Sequence, residues 1–242
     1  MYKINYPNSS IKIPSGLNIE GNKVLLLNYH ESHDKAVQKM LSCPETMKYL
    51  KFMSKQPEGW SLEDAKNRRI ARTKSQNDGL IVNFTIAIKK SMLDKNNIST
   101  FDDKEFLDPV SLQAKYNNLC PEFDLGTEKY IIAGVTGLQH IDLSSARAEI
   151  GIILDHRAWR SGFATEALLR VMKYSFEVLN LHRVEFWTTE ANESMRGWLE
   201  NVCKQQPESI FKDFLFSEGV YMDSYNYAFF ELDWYDRLSK LL

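Results

Sequence analysis

AEIGIILDHRAWRSGFATEALLRVMKYSFEVL, residues 148–179, is the stretch on which the fold turns. Its opening, 149–154, is dense in isoleucine and leucine and reads as a buried strand. After a turn, Ala164, Ala167, Leu168, Val171, Met172, Phe176 and Leu179 recur at three- and four-residue spacing. That is an apolar stripe of helical period. Between the two, RSGFAT sets Gly162 and Ala164 in the first helical turn, where bulky side chains would block an approaching ligand. First-turn amides lack intrahelical partners, and the helix carries roughly half a positive charge there. The turn therefore suits a phosphate, with Arg157 and Arg160 adding formal charge beside it. The alternative is an ordinary strand-turn-helix with a glycine where the chain bends.

Composition narrows the class. With 242 residues the chain fits one large domain, or a domain with an insertion, and is long enough to bury a substantial core. A hydrophobic share of 43% and a net charge of −2 describe a globular chain with no overall pull toward nucleic acid or anionic membrane. No apolar run approaches the ~20 residues that span a bilayer, and the first residues, MYKINYPNSSIKIPSG, lack the apolar centre of a secretory signal. Cys43, Cys120 and Cys203 are far apart with no C-x-x-C, which argues for a reducing compartment and against disulfides and structural zinc. His30 and His33 read as loop caps rather than metal ligands. The expectation is a cytoplasmic protein without metal.

Along the chain, 1–20 reads as an extended arm and 21–242 as one domain. KVLLLNY gives a first strand at 23–29, and helices are expected near 33–41 and over 44–51, with Pro44 at the start of the second. Ser61-Leu62-Glu63-Asp64 resembles a capping box opening a helix through about Ser75. That helix carries Lys66, Arg68, Arg69, Arg72 and Lys74, either as a solvated face or as a contact surface for an acidic acceptor or RNA. LIVNFTIAIK, 80–89, reads as a strand.

The quoted stretch resembles the acyl-CoA motif of the GNAT N-acetyltransferase superfamily, (Gln/Arg)-x-x-Gly-x-(Gly/Ala). Trp159-Arg160-Ser161-Gly162-Phe163-Ala164, continued by Thr165-Glu166-Ala167, is most similar to the branch of ribosomal-protein N-terminal acetyltransferases. IIAGVTGLQHID at 131–142 looks like the family's third strand and AEIGIIL like its fourth. HRVEFWTTEANESM at 182–195 looks like the fifth, ending at the family's asparagine, and 211–234 like the closing hairpin. The resemblance implies an α/β fold: a twisted, mostly antiparallel mixed sheet of about seven strands with helices on both faces. It also implies that strands 80–89 and 130–141 pair as a hairpin, yet about 40 residues separate them. This insertion at 90–128, with a helix start at Asp108 and Pro109, is a mobile excursion or a substrate lid or interface element.

By the same resemblance acetyl-CoA is the co-substrate, and an amine attacks its thioester directly. Ile152, Ile153 and Leu154 would pair with the pantetheine amides. Amides of Arg160, Ser161, Gly162, Phe163, Ala164 and Thr165 would hold the pyrophosphate, and Asn192 the pantetheine end. Neutralising a lysine-like amine at pH 7 costs about 4–5 kcal/mol, against roughly 1.4 for an α-amine, so a general base matters most for the former. Glu149 is the candidate base; otherwise it is a solvent-facing carboxylate paired with Arg147. Leu199 stands where many members carry a tyrosine that protonates the leaving thiolate, and Met195 where the branch often has serine, with Ser194 one place early. The donor is left open among Ser194, Tyr225 and Tyr227, or no enzymic acid at all. Three readings of the acceptor compete: a small-molecule amine, a peptide N-terminus, or none, in an acyl-CoA-binding module. Monomer and homodimer are both open.

Overall fold

The computed structural model describes residues 5–8, 10–55, 57–110, 113 and 126–242. Eight strands form one sheet: β1 (Ile19–Glu20), β2 (Val24–Asn28), β3 (Val82–Lys89), β4 (Tyr130–Asp142), β5 (Arg147–Leu154), β6 (Arg183–Thr189), β7 (Ser209–Ser217) and β8 (Val220–Phe230). Their spatial order is β1-β2-β3-β4-β5-β6-β8-β7. Every neighbouring pair is antiparallel except β5 with β6. The two-residue β1 adds a strand to the expected seven.

Helices cover both faces. On one, α1 (Asp34–Ser42) sets Val37, Met40 and Leu41 against Leu25, Leu27, Ile132 and Val135 of the sheet. Each such side chain, fully buried, contributes about 1.5–3 kcal/mol. Beside it lies α2 (Leu62–Asn77), opened by the expected capping box: Asp64 N–H donates to Ser61 Oγ at 3.1 Å, and Ser61 N–H to the Asp64 carboxylate at 2.9 Å. Its large apolar residues Leu62 and Ile70 are exposed and, of its apolar residues, only the small Ala65 is buried, so polar contacts do much to hold it down. Arg69 pairs with Asp34 at 3.0 Å, Arg72 donates to Asn83 at 2.7 Å, and buried Gln76 accepts from Asn83 N–H at 3.0 Å.

The opposite face carries α4 (Phe163–Lys173), continued by one π turn, Tyr174–Val178. Its stripe, Ala167, Leu168, Val171, Met172 and Phe176, packs into the larger core with Phe84, Ile150 and Phe186. Three short helices also lie among the described residues: α3 (Lys90–Lys95), α5 (Glu193–Gly197) and α6 (Glu231–Asp236). No helix among the described residues is long and apolar enough to cross a membrane.

The helix expected over 44–51 does not form. Met47 N–H reaches back four residues to Cys43, but Leu50 and Met53 reach back only three, to Met47 and Leu50. The segment is therefore a chain of tight turns ending in a 3₁₀ turn, Lys51–Met53. His30 does act as a cap, opening the 3₁₀ turn Glu31–His33. In the insertion, Pro109 and Val110 are helical; most of the remainder up to residue 125, Cys120 included, lies outside the described residues.

Candidate active site

β5 and β6 pair over three positions only, Arg147↔Arg183, Ala148↔Val184 and Glu149↔Glu185. Beyond Glu149 they diverge, because β5 stays with β4 as far as Leu154 while β6 follows β8. The gap exposes one backbone edge of Ile152 and Ile153, whereas the carbonyl of Leu154, also expected to pair with pantetheine, already accepts from Trp159 Nε1 at 2.7 Å. The first turn of α4 closes its end: the N-cap Gly162 has φ +79°, and no side chain caps the helix. An L-residue is strained in that conformation, which is why glycine stands there. The turn's free amides face a cavity of about 280 Å³ lined by Leu154, Trp159, Arg160, Gly162, Ala164 and Thr165, with Asn192 and Ser194 across it. A free helix start, an open strand edge and an apolar wall fit a pantetheine chain ending in phosphates.

Lys23, which gave no signal in the sequence, joins them. A Cβ built on Gly162 would lie 2.8 Å from Lys23 Nζ, so an exposed ammonium stands beside the helix start. It is held there by Glu166, in the first turn of α4, whose buried carboxylate accepts the backbone N–H groups of Asn22 and Lys23.

Arg157 departs from expectation. Its guanidinium donates to Asp155 at 2.7 Å and Glu105 at 3.0 Å and lies 4.0 Å over the Phe101 ring. Desolvation opposes its charge, but the two carboxylates outweigh this and raise its pKa. It ties the insertion to the loop before α4 rather than facing the cavity. Phe163 is fully buried and offers the site only its amide.

A second cavity, about 360 Å³, opens on the face covered by α1 and α2, lined by Arg68, Arg72, Gln139, Glu149, Gly151 and Thr189. Tyr49, Leu50, Ile152, Ile153, Asn192 and Met195 line both cavities. The two therefore meet across the strand gap. Glu149 borders the second, its Oε2 3.0 Å from His140 Nδ1. The expected pairing with Arg147 is absent, since Arg147 turns to Asp142 at 3.7 Å. Asn192 uses its Oδ1 to accept Met195 N–H at 3.2 Å, capping α5.

The last-strand tyrosines are not brought to either cavity. β8 places Tyr225 and Tyr227 on one pleat face, toward the larger core. Arg196 covers the Tyr225 ring at 4.4 Å, and Tyr227 Oη donates to Glu200 at 2.5 Å. Burial first, then that bond, pushes the Tyr227 hydroxyl up to about 12. Leu199 is fully buried. Of the candidate proton donors, Ser194 alone lines the cleft.

Residues 23–202 match the family described as Acetyltransferase (GNAT) domain. The uncharacterized N-acetyltransferase p20 of Bacillus licheniformis is 33% identical over 97 residues, 40% of this chain and 54% of that protein. The chain thus spans about half the length of the curated relatives it matches. Among solved structures, the microcin C7 self-immunity acetyltransferase MccE, in complex with acetyl-CoA and AMP, superposes with a TM-score of 0.61 at 13% identity. That match covers 87% of this chain and 93% of MccE. A chimera of spermidine N-acetyltransferase SpeG from Vibrio cholerae and hSSAT gives 0.59 at 16% identity, covering 89% of this chain and 100% of that one.

Proposed function

The chain belongs to the GNAT acetyltransferase family, and from that premise we propose that it moves the acetyl group of acetyl-CoA to the primary amine of a small molecule. The observation that carries the reading is the meeting of two cavities across the β5–β6 gap, an uncapped helix start on one side and Glu149 on the other. The 360 Å³ acceptor side suits a small molecule rather than a macromolecular surface.

In this mechanism the amides from Arg160 to Thr165, with Lys23, hold the pyrophosphate. The free edge of Ile152 and Ile153 aligns the pantetheine, and Asn192 and Met195 border its thioester end. Glu149, directly or through one water, takes a proton from the incoming ammonium, so that the nitrogen lone pair is free to attack. Acetyl-CoA supplies the carbonyl: the N–C bond forms, the C–S bond breaks, sulfur leaves with the electron pair, and the nitrogen gives up its second proton to solvent. The thiolate is protonated from Ser194 or solvent; an ordinary thiol pKa of about 8.5 makes it a fair leaving group without a dedicated acid.

Calorimetric titration with acetyl-CoA, CoA and pantetheine tests the cofactor side. Micromolar binding that collapses for pantetheine, which lacks the pyrophosphate, is the expected result. Failure of acetyl-CoA to bind removes the reading.

A further inference from the structure

Helix α2 turns two guanidinium groups toward the sheet and gives neither a carboxylate. Arg69, between them in sequence, is paired with Asp34. Arg68 and Arg72 instead line the acceptor cavity together with one carboxylate, Glu149, and neither forms an ion pair among the described residues. Arg72 directs Nε to Asn83 Oδ1 at 2.7 Å, leaving its terminal nitrogens for another acceptor. Arg68 Nε is buried with no hydrogen-bond partner, and its guanidinium carbon lies 5.9 Å from the centre of the Trp60 ring. Burial lowers the pKa of both arginines, and repulsion from Arg68 helps bring Arg72 down to about 10. Two desolvated cations facing one cavity are unfavourable until an anion enters it.

The floor of the cavity shows how such an anion would connect to the reaction. Asn83, Gly137 and Gly151 are cross-strand partners in one row. With glycine at both positions, neither puts a side chain between the Arg72 anchor on β3 and the strand gap at β5; the amide of Gln139 reaches over Gly151, its Nε2 2.9 Å from where a Cβ would stand. Gly137 admits no alternative, because a Cβ there would fall 1.9 Å from the Val82 carbonyl oxygen. Neighbouring strands lie about 4.8 Å apart, so the row spans on the order of 10 Å, and Glu149 lies two residues along the same face of β5.

Resting on the acetyltransferase reading above, we infer that the acceptor is a small primary amine bearing a carboxylate or phosphate at its far end. Arg68 and Arg72 hold the anion while the amine faces Glu149, and polyamines are rejected.

Three series matched in chain length test this: ω-amino carboxylates, aminoalkyl phosphates and α,ω-diamines, assayed by acetyl-CoA-dependent release of free thiol. An anionic series should exceed the diamine of equal length by about tenfold or more in kcat/KM. Arg68→Gln and Arg72→Gln should erase most of that preference through the acceptor KM, a change that a merely structural role for the arginines would not produce. A diamine that is the equal of its anionic counterparts, or a preference that survives in both variants, overturns the inference. Thermal melts without acetyl-CoA give a reading independent of turnover. An aminoalkyl phosphate should raise the Tm of the wild-type protein but not of the double variant, and equal shifts overturn the anion site. A failed acetyl-CoA titration overturns the transferase reading instead, so the two failures are distinguishable.

Discussion

Replacing Gly162 separates the backbone's part in cofactor binding from its part in stability. At φ +79° and ψ 3° the residue is left-handed, a conformation costing an L-residue roughly 1–2 kcal/mol. The added Cβ would meet only the tip of Lys23 at 2.8 Å, and that ammonium can swing aside, so no backbone clash adds to the strain. Gly162→Ala and Gly162→Trp should therefore lower Tm by about 2–8 °C, at roughly 2–4 °C per kcal/mol for a chain of this size, and both should stay folded. Binding separates them. An indole at the helix start fills the cleft and displaces Lys23, removing two or more charge-assisted hydrogen bonds of about 1.5–3 kcal/mol each. Acetyl-CoA affinity in Gly162→Trp should fall at least ~100-fold, about 2.8 kcal/mol; the alanine variant should fall much less. Calorimetry and a melt on the same preparations decide. A folded tryptophan variant that binds acetyl-CoA normally would refute the placement of the pyrophosphate.

Glu149→Gln should lower turnover by about 10²-fold or more with a lysine-like amine while the acetyl-CoA Kd stays nearly unchanged; unaltered turnover takes Glu149 out of the mechanism. Lys23→Met should weaken acetyl-CoA binding roughly two- to fivefold at low salt. That difference should shrink in concentrated salt, and a salt-independent effect would point to packing instead. Asp64, bonded to Lys55 and Ser61, has its carboxyl held down to about 2. Because the folded value lies below the unfolded one, near 3.9, its contribution is complete above about pH 4 and lost as pH falls toward 2. The Tm of the wild-type protein should drop more steeply across that window than that of Asp64→Asn, and parallel curves would disprove the link.

What is legible in the sequence is what depends on neighbours in the chain. The strand-turn-helix at 148–179 announces itself through helical period and a glycine at the bend, and the Ser61–Asp64 capping box through spacing alone. The turns at 44–50 look helical because their composition permits a helix; they take their shape from packing that lets Tyr49 and Leu50 line both cavities. Tyr225 is a candidate by sequence because it is a tyrosine on the last strand, but the pleat of β8 turns it under Arg196. Arg157 reads as a spare cation until Asp155 and Glu105 bracket it. Arg68 and Arg72 carry the opposite ambiguity. Five basic residues on one helix do not say which face the sheet, and only the docking of α2 leaves these two without carboxylates.

The clasp of Glu166 on Asn22 and Lys23 spans 144 and 143 residues of chain, and this bears on portability. The segment that looks like a self-contained binding motif imports both its restraint and one of its cations from the bend between β1 and β2. Grafted alone onto another scaffold, residues 148–179 would keep the glycine bend and the free amides. They would also bring the Glu166 carboxylate into the first helical turn without its two backbone donors, leaving Arg170, 3.5 Å away one turn along the helix, to draw its charge from an arriving phosphate. The motif is inherited as a sequence, but it functions as a junction between distant parts of the chain.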